Sequence, residues 1–296
     1  MKKINLLDVT LRDGGYVNGF QFSPQFIDTI LPILDASGIE YVEVGYRNGS
    51  LHSIPSIGEA GLCQKNYVKK VRSMVKKAKI SVMLHANKVN NDDILELKEC
   101  GVDLVRICIS KANYLASNGI IESCLDQNLE VSLNLVRASE CSHEDFENVL
   151  TQLKKYPLHA FYLADSNGSL LPSVIREFYE KYSETYPFAF GFHAHDNLGL
   201  AQVNAIQALE SGASFIDVSL GGLGKGIGNL KAEYFVAYLS ALGLEKYDFK
   251  KVLEGANYVG STFPEHPILR EEYFQMGILN KNYSDLLKSS AEATRS

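Results

Sequence analysis

The chain is expected to fold as a (β/α)8 TIM barrel, an α/β fold, on three observations. Strand-like and helix-like runs alternate from one end to the other. There are eight of each. Polar side chains gather where the strand runs end, while their beginnings are plain. Eight βα units in about 240 residues is the size of one such barrel. The 296 residues suffice for one large α/β domain and are short for two. A doubly wound open sheet is the rival; it favours about five or six strands and a glycine-rich loop after the first. Gly14-Gly15 is not continued as G-x-G-x-x-G, so the barrel is preferred.

The first strand run, Ile4–Val9, is apolar and leads straight into Arg12-Asp13-Gly14-Gly15. Ser23-Pro24 supplies an N-cap and a proline at the first helical position for a helix over 23–37, with Gly38 as the residue just past its end. The second strand, Tyr41–Gly45, carries Glu43 and is followed by Tyr46 and Arg47. The lysines from Lys65 to Lys79 are interleaved with Tyr67, Val68, Val71, Met74 and Val75, the spacing of a solvated amphipathic helix over 65–78 rather than of a phosphate site. Ile80–His85 is the third strand, and a helix over 91–101 ends at Gly101.

Leu104–Ile109, the fourth strand, holds Arg106, and a helix is expected over 112–127. The fifth, Glu130–Val136, contains Asn134 and leads to Arg137; Ser142 caps a helix over 143–155. Ala160–Ala164 ends in Asp165-Ser166-Asn167-Gly168, equally a turn with an N-cap or a carboxylate and hydroxyl serving a site; a helix over 170–184 follows. The seventh strand, Phe188–His193, ends in His193-Ala194-His195-Asp196-Asn197, where Asn197 reads as the cap of a helix over 197–211 that stops before Gly212. Phe215–Leu220 runs into a loop rich in glycine from Gly221 to Gly228, and a helix over 230–242 completes the count. These glycines either permit tight turns or expose N–H groups to an anion. Residues 1–245 are read as the catalytic barrel domain. Residues 246–296, with Pro264 and Pro267, are read as a helical extension packed on the barrel or a partner subunit.

Hydrophobic residues at 46% and charged residues at 22% are ordinary for a globular protein, and a net charge of -6 gives no footprint for nucleic acid. No apolar run approaches the roughly 18 residues of a membrane span. The first strand starts at Ile4, so no signal peptide is expected. The five cysteines are odd in number and never spaced as Cys-x-x-Cys, which fits a reducing cytoplasm and core roles, Cys108 included.

In a barrel of this kind the site lies at the carboxyl ends of the strands. Side chains alternate along a strand, so His193 and His195 point the same way. Two convergent imidazoles with Asp13 make a divalent-metal site, and Arg12 beside it is placed to meet developing negative charge. A lone strand-end Asp or His more often caps a helix or makes a structural hydrogen bond. The combination on separate strands is what points to chemistry. Asn229 is read as either a helix cap or a further ligand, and Lys225 as either solvated or substrate-binding.

At these residues the chain resembles the DRE-TIM metallolyase (HMG-CoA lyase-like) family, nearest its 4-hydroxy-2-oxovalerate aldolase branch. Asp-Val-Thr-Leu-Arg-Asp-Gly at 8–14 resembles the strand-one motif, Glu43 the strand-two glutamate, His193 to Leu200 the strand-seven motif, and Gly222-Leu223-Gly224 through Gly228-Asn229 the strand-eight loop. The resemblance implies Asp13, His193 and His195 as metal ligands with Asn229 as a further or water-mediated one. It implies Mn2+ or Mg2+, with Co2+ or Zn2+ as alternatives, binding the keto and carboxylate oxygens of a 2-oxo acid. Arg12 then donates to the enolate oxygen and Glu43 orients Arg12 through a bidentate pair. Arg106, Ser166 and Lys225 are the expected substrate contacts. The implied reaction is an aldolase-type cleavage or formation of a C–C bond between a pyruvate-like enolate and an aldehyde. The alternatives are a Claisen-type acyl-CoA synthase and an impaired barrel used as a binding subunit.

Two departures stand out. The branch has a catalytic-base histidine three residues after the metal aspartate, and here that position is Tyr16; His85 is the alternative base. The branch's long C-terminal domain, which docks an acylating dehydrogenase, has no counterpart in the residues after the barrel, so that partner is not expected. The resemblance implies a homodimer.

Overall fold

The computed structural model describes residues 4–287. Eight parallel strands close into a barrel in chain order: β1 (Asn5–Asp8), β2 (Tyr41–Tyr46), β3 (Lys79–His85), β4 (Leu104–Ile109), β5 (Glu130–Leu135), β6 (Ala160–Asp165), β7 (Ala189–Ala194) and β8 (Phe215–Val218). Closure is made by β1 against β8, with Leu7 opposite Asp217 and Asp8 opposite Val218. The strands are buried almost throughout, as strands covered on both faces must be.

The helices are α1 (Gly15–Asn18), α2 (Pro24–Ala36), α3 (Lys65–Met74), α4 (Asn91–Glu99), α5 (Asn118–Asp126), α6 (His143–Leu153), α7 (Pro172–Tyr182), α8 (Ala201–Ser211), α9 (Ala232–Ala241), α10 (Phe249–Thr262) and α11 (Glu271–Leu279). Local signals explain most boundaries. The Ser23 hydroxyl accepts from the Phe26 N–H, and Pro24 opens α2. Ser142 and Asp145 form a reciprocal capping box at α6. Gly38, Gly101 and Gly212 all take positive φ just past helix ends. In α3, Tyr67, Val68 and Val71 are buried while the lysines face solvent.

Three boundaries differ from expectation. The helix expected over 112–127 is α5 alone, preceded by a short 3-10 turn at Tyr114–Ser117. Asn197 does not cap α8. Asp196 does that work by accepting from the Ala201 N–H at 2.9 Å, while Asn197 donates to the Asn167 carbonyl. The last barrel helix starts at Ala232, so Asn229 lies in the loop and caps nothing.

After the barrel, α10 packs on α2 and α9. α11 crosses to the carboxyl ends of β6 and β7. There Gly277 meets Leu198, and Asn280, in the left-handed conformation, accepts from Asn167 and Ser169 and donates to the Ser139 carbonyl. Among the described residues no helix is long and apolar enough to cross a membrane.

Candidate metal centre

Asp13, His193 and His195 meet at the carboxyl end of the barrel, with one ligand atom from each within 4.8 Å of the others and all three residues buried. The backbone leaves β1 and turns back, the Asp13 N–H donating to the Val9 carbonyl, so the carboxylate is aimed over the barrel mouth. His193 and His195 sit on and just past β7, two residues apart, so they project the same way.

The outer nitrogen of each imidazole faces a fixed acceptor. Nδ1 of His193 lies 3.0 Å from an Asp217 carboxylate oxygen on β8, an ion-pair distance without hydrogen-bond alignment. Nδ1 of His195 lies 3.3 Å from the Lys225 carbonyl. With the ring proton on Nδ1, each Nε2 is left as a lone-pair donor, the tautomer that metal-binding histidines need. His195 Nε2 is 3.9 Å from Asp13 Oδ2, too far for a hydrogen bond between them. One carboxylate and two imidazoles, buried and convergent, fit a divalent cation.

Electrostatics support the charged carboxylate. Burial alone would raise Asp13, but Arg12, His195, His193 and a hydrogen bond from Asn229 outweigh it and hold it well below the usual carboxylate range. The Asn229 side-chain N–H donates to Asp13 Oδ2 at 2.8 Å, and its buried Oδ1 has no partner. That unsatisfied oxygen is what a ligand or a water-mediated contact would use.

Beneath the mouth lies a chain of buried ion pairs. Arg12 donates from Nε to Glu43 Oε2 and from an amino group to Asp13 Oδ1, both at 2.6 Å. Arg106 donates to the same Glu43 oxygen at 3.1 Å, to Asp217 at 2.7 Å and to Asn134 at 3.2 Å, with its guanidinium 4.2 Å above the Tyr162 ring. Two expectations are corrected here. Glu43 holds Arg12 through one oxygen shared with Arg106, not through a bidentate fork. Arg106, expected to face a substrate, is instead withdrawn from the cavity lining: it is 0% exposed and its donors are committed to protein groups. Its effect is to fix Glu43 and Asp217, and through them Arg12 and His193. The second amino group of Arg12 is buried and without a partner.

Above this network a cavity of about 500 Å³ opens, lined by Arg12, Asp13, Tyr16, His85, Ser166, His193, His195 and Lys225. Of the predicted site residues, Glu43, Arg106 and Asn229 lie behind the lining rather than in it. Tyr16 is pushed up to about 12 by burial and donates to the Tyr46 hydroxyl at 3.3 Å, so it is a neutral phenol. His85 stacks on Tyr46 and is pushed down to about 4, by burial first and then by the nearby cations. Its Nε2 is buried and unpartnered, a free proton acceptor at neutral pH. Ser166 accepts from the Arg137 N–H at 2.9 Å. Cys108 also lines the cavity, but burial pushes its thiol up to about 12, which leaves it a core thiol and no nucleophile.

The strand-eight loop is a scaffold rather than an anion cradle. N–H groups that could face an anion are taken by protein acceptors: Lys225 by Asp13, Ile227 by Asn197, Gly228 by the Lys225 carbonyl. A Cβ at Gly224 would lie 2.3 Å from the Asn229 amide nitrogen and 2.9 Å from Asp13 Oδ2, so glycine is required for Asn229 to reach the ligand carboxylate.

Sequence reasoning missed two sets of residues. Asp217 sits inside a strand and carried no signal beyond being a charge in an apolar run. Asn282, Tyr283, Ser284 and Asp285 follow α11 and close one side of the cavity; no periodicity or motif marks them.

A family model described as HMGL-like matches residues 3–259. The 4-hydroxy-2-oxovalerate aldolase of Moorella thermoacetica is 30% identical over 300 residues, covering 99% of this chain and 88% of that one. The protein of the same name from Carboxydothermus hydrogenoformans is 32% identical, covering 87% and 77%. Among solved structures, the N-terminal domain of a Bacteroides vulgatus protein superposes with a TM-score of 0.84 at 26% identity, covering 97% and 96%.

Proposed function

The chain belongs to the HMGL-like family of metal-dependent carbon–carbon lyases, and from that premise we propose that it is a class II aldolase joining or parting a pyruvate-like enolate and an aldehyde. The observation that carries the reading is the Asp13, His193 and His195 cluster directly beside the unpartnered amino group of Arg12. A divalent cation bound there, Mn2+ or Mg2+ by its mixed N/O donors, supplies Lewis-acid polarisation of the substrate carbonyl.

The chain's own groups do the rest. Arg12, locked by Glu43 and Asp13, offers its free N–H to the oxygen on which the enolate charge develops; it is already oriented, so little reorganisation is needed. His85 is the group to accept a proton, since its Nε2 is free and neutral. Tyr16, a neutral phenol on the same cavity wall, is the group to donate one. Ser166 and Lys225 face the same space and are placed to hold substrate oxygens. Asn229 steadies Asp13 from behind.

Proton–deuterium exchange at C3 of pyruvate, followed by NMR in D2O, tests this. Exchange is expected with Mn2+ or Mg2+, should stop with EDTA, and should be lost in His193→Ala. Exchange that is insensitive to chelation, or none with pyruvate or 2-oxobutyrate, overturns the reading.

A further inference from the structure

Resting on that reading, we infer that the aldehyde taken by this site carries its own anionic group, a carboxylate or a phosphate, held between Arg137 and Lys225. Both cations line the metal cavity. Neither is needed by the buried network, where Arg12 and Arg106 face Asp13, Glu43 and Asp217. That set holds two cations against three carboxylates. A divalent ion and the single carboxylate of a 2-oxo acid together cancel the remaining charge, so nothing in the floor of the site calls for the two cations above it.

Their partners are weak. The carboxylate paired with Arg137 is Glu140, at 3.9 Å and with both side chains partly exposed, a contact of small value in water. Lys225 makes no salt bridge among the described residues, although its main chain is pinned at both ends, N–H to Asp13 and carbonyl to His195. The pinning fixes where the ammonium group starts from, at the rim of the metal cluster. Arg137 is fixed too: it holds a left-handed backbone conformation, φ 54°, with its N–H on Ser166. A non-glycine residue in that region is strained, and the strain is tolerated where a side chain must be aimed.

Both cations stand on the lining of one cavity, so an anion there would meet a counter-charge from each. Asp285 is the other carboxylate on the lining besides Asp13; it accepts from Asn282 on the closing segment. Pyruvate alone brings no counter-charge of its own to Arg137 and Lys225, and a neutral aldehyde would bring none either. A fork-shaped guanidinium with a flexible ammonium suits an oxyanion of several oxygens.

The test compares aldehydes matched except for charge: succinic semialdehyde with butanal, and glyceraldehyde 3-phosphate with glyceraldehyde. Each is presented with pyruvate and Mn2+, and the adduct is followed by NMR beside the C3 exchange assay. Wild-type enzyme is expected to favour the charged member of one pair by at least about tenfold in kcat/KM, and the pair that shows it tells carboxylate from phosphate. Arg137→Met and Lys225→Met should each shrink that preference by about tenfold, read as a ratio within each variant so that any general loss cancels. Pyruvate exchange in the wild type without preference for either charged aldehyde overturns this inference and leaves the aldolase reading standing. A preference that survives in both variants also overturns it. Absence of exchange removes both.

Discussion

The residues that cluster at the candidate site were readable one by one, because each is a polar group stranded at the end of an apolar run. Asp13, His193 and His195 needed only strand alternation and the barrel rule. What holds them was not readable. Arg106 meets Asp217 from 111 positions away, and that partnership is set by the register of the closed barrel rather than by any spacing in the chain. Removing one member of a buried pair leaves an uncompensated charge, a loss of about 3–5 kcal/mol. Arg106→Leu should therefore lower stability by about that much, measured by urea unfolding, and should weaken metal binding by freeing His193. A loss below about 1 kcal/mol would mean that the network is hydrated and not structural. The proton path gives a second prediction. His85 is pushed down to about 4 and Tyr16 up to about 12, so each keeps one protonation state across the neutral range. As pH falls through about 4 the imidazole takes a proton and can no longer accept one, so exchange should decline there and not near the ordinary value of 6.5. A pH–rate profile with its acid limb near 6.5 would remove His85 as the acceptor.

At the scale of elements, the helix starts at Ser23 and Ser142 were legible, and the loop after β8 was not. Its glycines fit two readings in sequence, a turn or an anion cradle, because both need the same freedom of backbone. Only packing separates them. The loop's N–H groups are spent on protein acceptors, Asp13 and Asn197 among them, and the absent Cβ of Gly224 is what lets Asn229 approach Asp13. Gly224→Ala should push the Asn229 amide away and loosen the carboxylate, lowering metal affinity by about 10–100-fold, as loss of a ligand's supporting contact does. Titration with Mn2+ by calorimetry checks this, and an unchanged affinity would show that Asn229 has no hold on the ligand. The misplaced cap at Asn197 has the same origin. Asp196 and Asn197 are both good caps, and the choice went to Asp196 because the Asn197 side chain is spent joining the β6 and β8 loops through Asn167 and Ile227.

The whole barrel sets the coupling between site and stability. Asp13 after β1, His193 and His195 at the end of β7, and the Asn229 loop after β8 flank the seam where the last strand meets the first. A cation gripping all of them fastens that closure, and the unfolded chain offers no such cluster. Binding to the folded state alone stabilises it by RT ln(1 + [L]/Kd), about 2.7 kcal/mol when the ion is at about a hundred times its Kd. Thermal unfolding should thus shift upward by several degrees on adding Mn2+ or Mg2+ and return with EDTA. His193→Ala, which removes one ligand, should start from a melting temperature near that of the metal-free wild type and fail to respond. An equal upward shift in that variant would mean that the ion stabilises the fold from somewhere else. No shift with any of Mn2+, Mg2+, Co2+ or Zn2+ would show that three buried ligands flanking the seam do not bind, and the aldolase reading would fall with them.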